Sequence, residues 1–249
     1  MIVIKSQSEI AKMRQAGRLV AEVHEALRER IKPGVSTADL DAIAYDIITQ
    51  RGAKPSFLGY RGYPASICAS INQEVVHGIP NKKRVLQEGD IIAIDVGATL
   101  DGFVGDAAFT VGVGHVSDTA ARLMEATEGS LLAGIAQVQP GKHLDDISGA
   151  IQDYAESRGF SIVREYVGHG VGRAMHEEPQ IPNYRQGKLG PQLKPGMTLA
   201  IEPMVNEGVW ETRTLRDKWT VVTQDGKLSA HFEHTVAVTE GEPEILTKL

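Results

Sequence analysis

The sequence predicts an α+β fold made of two related halves. Three observations predict it. The segment 32–52 resembles the segment 139–159, which lies 107 residues further along the chain. Each segment follows a longer stretch with helical spacing of apolar residues, and strand-like apolar runs then match at the same offset. Two helices followed by strands are therefore expected in each half.

The helices come first in each half. Helical spacing runs through 8–31 and 117–138, and each run stops before a Pro-Gly pair. A second amphipathic helix is expected within 32–52 and within 139–159, and each of these segments ends on glycine, a usual helix stop. Each half therefore begins with a helical pair.

The strands repeat at the same spacing as the helices. The run 88–95 matches the run 195–202, and a carboxylate, Asp95 or Glu202, ends each run. Agreement of helices and strands at one offset predicts a pseudo-two-fold axis, with these two carboxylates in equivalent places. No linker-like segment separates the halves. We therefore expect one domain, 1–249, with halves of roughly 1–107 and 108–249.

Charge and composition limit the classes of function. The 26 Lys and Arg residues face 32 Asp and Glu residues, a net charge of -6, which disfavours binding to nucleic-acid phosphates. The single cysteine, Cys68, excludes an intrachain disulfide and indicates a reducing compartment. No apolar run suits a signal peptide or a membrane span. We expect a cytoplasmic protein with no membrane or nucleic-acid partner.

A hairpin is predicted between Ile91 and Gly112, around the turn signal Asp101-Gly102. A loop of two residues or of four residues fits, and in both cases Asp95 and Asp106 share a face. Like charges in that position destabilise a sheet. Asp95 also ends an apolar run that should be buried, and a buried charge must be paired or bind a metal.

Three further donors follow downstream. His169 lies between glycines, which let a ligand or backbone approach closely, and Glu202 ends a second apolar run. Glu233 is expected to share a strand face with His231, while His234 points away. Each alone is weak evidence, since buried polar side chains are common in cores.

Taken together, the donors predict a metal centre. Four carboxylates and one imidazole nitrogen, without a thiolate, suit two divalent cations chosen from Mn, Fe, Co or Zn. Such cations make water available as a nucleophile near neutral pH. The residues by themselves therefore predict a dinuclear metallohydrolase and leave its substrate open. The five donors are Asp95, Asp106, His169, Glu202 and Glu233.

Along essentially its whole length the chain resembles the type I methionine aminopeptidases, a family with the creatinase or pita-bread fold. The fold implied is two pseudo-two-fold related halves with a curved antiparallel sheet and helices outside. The resemblance also implies removal of the initiator methionine, with a preference for a small second residue. It depends on the combination of NQEVVHGIP (72–80), GDIIAIDVG (89–97), GDAAFTVGVG (105–114), GHGVGRAMHEEPQIPN (168–183), AIEPM (200–204) and HFEHT (231–235).

The resemblance implies roles for individual residues. The five donors occupy the positions of the family's metal ligands, and Glu202 would also be the general base. His77 and His176 would hydrogen-bond the substrate amide and stabilise the tetrahedral intermediate.

A pocket for the methionine side chain is implied as well. Two residues depart from what we expect in bacterial relatives, since Phe57 stands for Cys and Met175 for Phe. His231 likewise stands where Gln is common, and these departures put the shape of the pocket in question. Phe57 and Met175 are nevertheless assigned to the pocket, and the full set of lining residues is His77, Tyr60, Tyr63, Cys68, Trp219, Phe57 and Met175.

The sequence leaves alternative functions of the same fold open. Prolidases and X-Pro aminopeptidases share the fold and ligands but normally carry an additional N-terminal domain, for which this chain has no room. Type II methionine aminopeptidases carry an insertion that the stretch 169–202 does not show. A non-catalytic binding module of this fold would have lost ligands. The expected partners are nascent polypeptide N-termini, met at the ribosome exit, and the expected state is a monomer.

Overall fold

The computed structural model describes all residues, 1–249. The chain contains four helices and fifteen strands, in the order two helices, five strands, two helices and ten strands, with a short 3-10 helix at Tyr60–Gly62. The helices are α1 (Gln7–Arg28), α2 (Thr37–Gln50), α3 (Asp118–Ile135) and α4 (Leu144–Glu156). The strands of the first half are β1 (Lys54–Pro55), β2 (Ile67–Ile71), β3 (Glu74–Val76), β4 (Ile91–Leu100) and β5 (Phe103–Gly112). Those of the second half are β6 (Ser161–Ile162), β7 (Gly168–Gly170), β8 (Glu177–Ile181), β9 (Thr198–Ile201), β10 (Met204–Asn206), β11 (Thr212–Thr214), β12 (Val221–Thr223), β13 (Ser229–His231), β14 (Glu233–Ala237) and β15 (Glu244–Ile245).

The helices lie where the sequence predicts them. α1 and α2 each begin after a serine, Ser6 or Ser36, whose side chain accepts a hydrogen bond from the backbone of the first turn. In both helices the carboxylate of an acidic residue in that turn accepts a hydrogen bond from the backbone N–H of the serine, which completes a capping box. The first helix starts one residue before the predicted segment and ends three residues earlier than its predicted limit.

A nine-stranded sheet contains strands from both halves. Its main path runs β1-β4-β5-β14-β9-β7-β8, with β2 beside β4 and β15 beside β14. All of its pairs are antiparallel. The order is symmetric about the β5–β14 pair, because β4 flanks one side and β9 the other. Two smaller three-stranded sheets join β13-β10-β6 and β11-β12-β3.

Equivalent contacts recur in the two halves at the predicted offset. An isolated bridge joins Ser36 to Val85, and its counterpart joins His143 to Gln192, 107 residues later. The Pro-Gly turns match as well, since Gly34 and Gly141 have φ of 91° and 89°. These pairs support the two-half organisation. The assignment of 1–249 to one domain stays a prediction, which the shared sheet supports.

The core lies between the helices and the large sheet. One cluster of 41 buried residues draws on both halves. α1 packs against β4 and β5, while α3 packs against α4. The crossing of α1 over β5 is close, because a Cβ at Gly105 would lie 2.6 Å from the Gly17 nitrogen. None of the helices combines the length and the apolar character needed to cross a bilayer.

Candidate metal centre and active site

One cavity of about 290 Å³ opens beside the centre of the large sheet. All thirteen residues that the sequence analysis assigned to ligand, catalytic or pocket roles line it, together with Arg61 and Tyr166. The roles themselves stay predictions. The lining residues are Phe57, Tyr60, Arg61, Tyr63, Cys68, His77, Asp95, Asp106, Tyr166, His169, Met175, His176, Glu202, Trp219 and Glu233.

The β4–β5 hairpin places two of the carboxylates. Leu100 pairs with Phe103, so the loop has two residues and the four-residue alternative is excluded. Asp95 lies opposite Ala108 and Asp106 opposite Gly97. The two aspartates are therefore diagonal neighbours on one face rather than directly opposed, which reduces their repulsion without removing it.

The remaining three donors come from the second half. Glu233 begins β14 and lies opposite Ala108 of β5, while Glu202 directly follows β9. His169 lies in β7, with its Nε2 3.4 Å from Glu202 Oε1 and 3.7 Å from Asp106 Oδ2. Ligand atoms of Asp106, His169 and Glu233 lie within 4.8 Å of one another. These positions bring the donors around one space.

The orientation of His169 suits a ligand. Its Nδ1 lies 2.9 Å from the carbonyl oxygen of Gly170, to which it donates when the ring is neutral. Burial lowers the pKa of His169 to about 4, and the neighbouring His176 adds to that effect. The ring is therefore neutral near pH 7, and its Nε2 lone pair faces the carboxylates. That arrangement is common among metal-binding histidines.

The carboxylates repel one another in this buried space. Burial raises the pKa of Asp95 to about 8. Burial, followed by the charges of neighbouring carboxylates, holds the pKa of Asp106 and that of Glu233 well above their ordinary values. Burial and the Asp95 charge do the same to the pKa of Glu202. Four carboxylates cannot all be ionised here unless cations neutralise them.

Unpartnered oxygens test whether a metal would fit. Asp95 Oδ1, Asp106 Oδ1 and Glu233 Oε1 are buried and have no hydrogen-bond partner. Buried polar atoms of this kind carry a free-energy penalty unless something satisfies them. Carboxylate oxygens with one imidazole nitrogen are the donors that Mn, Fe, Co and Zn accept. The residues therefore fit divalent cations.

Two further histidines face the same cavity. The His176 ring lies 4.2 Å from the His169 ring, and its Nδ1 lies 2.9 Å from the Tyr60 hydroxyl. His77 has a φ of 61°, an uncommon value for a residue with a side chain. Burial lowers the pKa of His77 to about 4 and also lowers the pKa of His176. Both rings are therefore neutral near pH 7 and can donate one hydrogen bond each.

Aromatic side chains close the apolar part of the cavity. The Tyr63 and Trp219 rings meet edge to face at 5.0 Å, and the His77 ring lies 6.1 Å from Trp219. The Tyr63 hydroxyl donates toward the carbonyl oxygens of Ile67 and Gly78, which fixes the ring. Cys68 lies opposite Asp95 across the β2–β4 pair. The apolar pocket is thus continuous with the carboxylate cluster.

The segment around His231 differs from the single alternating strand expected. β13 ends at His231 and β14 begins at Glu233, so the strand is interrupted at Phe232 and its two parts belong to different sheets. His231 still reaches the site, with its Nε2 3.8 Å from Glu202 Oε2. His234 turns away from the site, as expected, and bonds Thr247.

Sequence reasoning missed Arg61 and Tyr166. Arg61 lies in the short 3-10 helix with φ of 49°, a loop position that no periodicity marks. Tyr166 lies three residues before His169, and its ring is 5.8 Å from the His77 ring. The signal that could have identified Tyr166 is its position close to the glycine-flanked histidine in the sequence.

Comparison with known proteins identifies the family of this chain. The model described as metallopeptidase family M24 matches residues 11–240. Methionine aminopeptidase 1 of Bacillus subtilis is 56% identical over 249 residues, which cover all of both chains. The methionine aminopeptidase of Escherichia coli strain K12 is 50% identical over 247 residues, 99% of this chain and 94% of that protein.

Solved structures give the same result for the fold. The methionine aminopeptidase of Thermotoga maritima matches with a TM-score of 0.98 at 48% identity, over all of both chains. An Xaa-Pro dipeptidase of Bacillus anthracis matches at 0.79 and 23% identity, over 99% of this chain and 62% of that one, and shows the shared fold alone. The expected pita-bread fold is confirmed. The chain therefore belongs to metallopeptidase family M24, among its methionine aminopeptidases.

Proposed function

We propose that this protein removes the N-terminal methionine from polypeptides by metal-assisted hydrolysis of the first amide bond. The observation that carries the proposal is the continuity of a five-donor carboxylate and imidazole cluster with an aromatic-lined pocket. The cluster accounts for hydrolysis, and the pocket accounts for the choice of residue. The similarity to methionine aminopeptidases supports the same activity.

We assign two divalent cations to the cluster, because four negative carboxylates balance two such ions. The candidates are Co, Mn, Fe and Zn. When bound, the cations would polarise the scissile carbonyl and make water a nucleophile near neutral pH. The residues assigned to hold them are Asp95, Asp106, His169, Glu202 and Glu233.

Side chains of this protein would transfer the proton and hold the substrate amide in place. Glu202 would take a proton from the attacking water and pass it to the departing amine, since its carboxylate faces the donor cluster. His77 and His176 would donate hydrogen bonds to the substrate amide and to the oxygen that gains charge. Because both rings are neutral, each donates without adding a charge that would repel the cations.

The pocket suits an unbranched thioether side chain. Sulfur packs favourably against aromatic edges, which Tyr63 and Trp219 provide, and the Cys68 thiol is buried beside them. Phe57 and Met175 meet over Gly97, where a Cβ would lie 2.8 Å from the Phe57 ring and 3.0 Å from Met175 Cε. We expect a small second residue to be preferred in the substrate, as the similarity to methionine aminopeptidases implies.

The expected substrates are the N-termini of nascent chains, met at the ribosome exit in the cytoplasm. The negative net charge disfavours direct binding to nucleic acid. We propose that the protein acts as a monomer, because a single copy of the chain already brings the five metal donors and the apolar pocket together.

The decisive experiment is a peptide assay over several metals. The protein loaded with Co²⁺, Mn²⁺, Fe²⁺ or Zn²⁺ should release methionine from Met-Gly-X peptides and leave X-Pro bonds intact. Preferential cleavage of X-Pro bonds would replace the proposal with the prolidase activity of the same fold. No cleavage with any metal would indicate a binding module.

A separate measurement tests the number of ions. Metal content determined after dialysis against excess Mn²⁺ should reach two ions per chain. The Asp106→Asn variant should hold fewer ions, because it loses one charged donor. Its control is Glu125→Gln, which removes a carboxylate from the exposed face of α3 and should still hold two ions. A plateau at one ion in the unaltered protein would reduce the proposal to a mononuclear centre.

A further inference from the structure

A buried ion pair links the segment before α1 to the loop that carries His176. The Lys5 ammonium lies 2.5 Å from Glu177 Oε2, and the two side chains are 3% and 13% exposed. Charged pairs this deeply buried are weak evidence for stability, because their desolvation offsets much of the attraction. The pair therefore calls for a reason other than stability.

Glu177 uses its second oxygen to close the turn of the His176 loop. Oε1 accepts hydrogen bonds from the backbone N–H groups of Arg173 and Ala174, at 2.9 Å and 3.2 Å. Gly172 packs under the pair, since a Cβ there would lie 2.5 Å from Lys5 Cε and 2.6 Å from Glu177 Oε1. His176, the neighbour of Glu177, is thereby held on a turn that the carboxylate closes.

Lys5 is itself anchored to the other side of the site. Its backbone N–H donates to the carbonyl oxygen of Gly196, at 2.8 Å, just before β9. β9 leads directly into Glu202. The Arg173 side chain pairs with Glu9 at 3.3 Å, so Lys5 is the cation that faces Glu177. Through Lys5, the His176 loop is tied to the strand that presents Glu202.

We propose that Lys5 is a positioning residue for His176, acting through Glu177 to fix the distance between the two sides of the reacting centre. The proposal rests on the proposed function, because it assumes that His176 contacts the reacting amide. Lys5 does not touch the cavity. Its effect comes from geometry, and a displacement of about 1 Å in a catalytic group can cost about a hundredfold in rate.

The test uses the unaltered 249-residue chain and its variants, loaded with Mn²⁺, and a Met-Gly-X peptide. Lys5→Met should lower kcat by about tenfold or more, with a smaller change in KM, because the His176 contact matters most in the transition state. Arg14→Met is the matched control, since Arg14 pairs with Glu244 at 2.5 Å, away from the cavity. It should leave kcat unchanged even if the melting temperature falls.

A double-mutant cycle separates positioning from a structural role. In a His176→Ala background, Lys5→Met should have almost no further effect on kcat, because the group that it positions is gone. Hydrogen exchange of the backbone amides in 172–177 should also become faster in Lys5→Met, with or without metal. If Lys5→Met fails to fold, Glu177→Gln, which keeps the size of the side chain, is measured in the same cycle.

The outcomes are distinguishable. Unchanged kcat in a folded Lys5→Met or Glu177→Gln variant would overturn the positioning role, and so would a loss of equal size in the His176→Ala background. If the unaltered protein cleaves no Met-Gly-X peptide, the proposed function fails instead. Faster exchange in 172–177 would then still show that the pair orders the loop.

Discussion

At the residue scale, the site is defined by side chains that have no partner within the protein. Oxygens of Asp95, Asp106 and Glu233 are buried and unsatisfied, and the Nε2 of His231 is in the same condition near Glu202. Each such atom costs free energy, and these four make up more than half of the seven buried side-chain atoms that have no partner. Their clustering in one place indicates a site that is completed by something other than protein.

Replacing Glu202 by glutamine tests its role as the base. The amide cannot accept the proton of water, so kcat should fall by about a hundredfold to ten-thousandfold, while KM changes little. Metal content should stay close to that of the unaltered protein, because Glu202 lies outside the tight group of Asp106, His169 and Glu233, which remains intact. The measurement is peptide kinetics with parallel metal analysis.

The control for that change is Glu125→Gln on the exposed face of α3, which should keep full activity. Unchanged turnover in Glu202→Gln would remove Glu202 as the base. A loss of both metal and turnover would indicate that Glu202 acts mainly as a metal ligand.

At the element scale, close backbone contacts fix the helices and strands that carry the site. α1 crosses β5 at Gly105, one residue before Asp106, and α1 also meets the C-terminal segment at Gly17. A side chain at either glycine would separate these elements. The position of Asp106 therefore depends on how closely α1 approaches the sheet.

Gly17→Ala should destabilise the protein, although alanine is the better helix former. Helix propensity alone would add about 1 kcal/mol of stability. A Cβ at Gly17 would overlap the carbonyl oxygen of Leu246, and that overlap should cost more, about 1–3 kcal/mol. Denaturant unfolding measures the difference.

Gly241→Ala is the matched control, because a Cβ at that position meets nothing within 4 Å. Its free energy of unfolding should change by less than about 0.5 kcal/mol. A gain in stability for Gly17→Ala would contradict the close packing of α1 against the C-terminal segment.

At the scale of the whole molecule, each half contributes two carboxylates to the seam between the halves. β5 and β14 pair at the centre of the sheet, and the carboxylates on either side face the same cavity. The metal-free molecule therefore relieves repulsion by holding protons in its centre. The free energy of unfolding of the metal-free form should therefore depend on pH, and that of the metal-loaded form should not.

Metal-free protein should lose stability as pH rises from about 6.5 to about 8. In this range the unfolded chain has released its carboxyl protons, while folded Asp95, with its pKa raised to about 8, still binds one. Rising pH therefore favours unfolding, by about 1–2 kcal/mol for each carboxyl that stays protonated. Below about 6.5 the buried neutral histidines, such as His24 with a pKa near 3, oppose this trend.

Thermal melting at pH 6.5 and at pH 8, in EDTA and in Mn²⁺, measures the effect. The loss should disappear in Mn²⁺, because cations replace the protons. Asp95→Asn should reduce it in EDTA. Equal melting temperatures at the two pH values in EDTA would contradict the protonated cluster.

Much of this molecule could be predicted from its sequence, because several local signals agreed. Periodicity and Pro-Gly stops marked the helices, the 107-residue offset marked the halves, and carboxylates that end apolar runs marked the donors. Pocket residues such as Tyr63 and Trp219 came from family resemblance, since their positions in the chain carry no local signal.

The rest depended on contacts between distant parts of the chain. The Asp-Gly signal fitted two loop lengths, and only the pairing of Leu100 with Phe103 decides between them. The interruption at Phe232 arises because the two sides of the segment join different sheets. The Lys5–Glu177 pair joins residues far apart in sequence, for which no periodicity exists.

The pairing of β5 with β14 also has a consequence for folding kinetics. Asp95 and Asp106 share a local hairpin, whereas Glu233 reaches Ala108 from more than a hundred residues away. Loop-closure entropy must be overcome before so distant a pairing is rewarded, so we expect it to form late in folding. Mn²⁺ should therefore slow unfolding and leave the refolding rate unchanged, because the centre is incomplete in the transition state. Stopped-flow refolding that accelerates with Mn²⁺ would show instead that the centre assembles early.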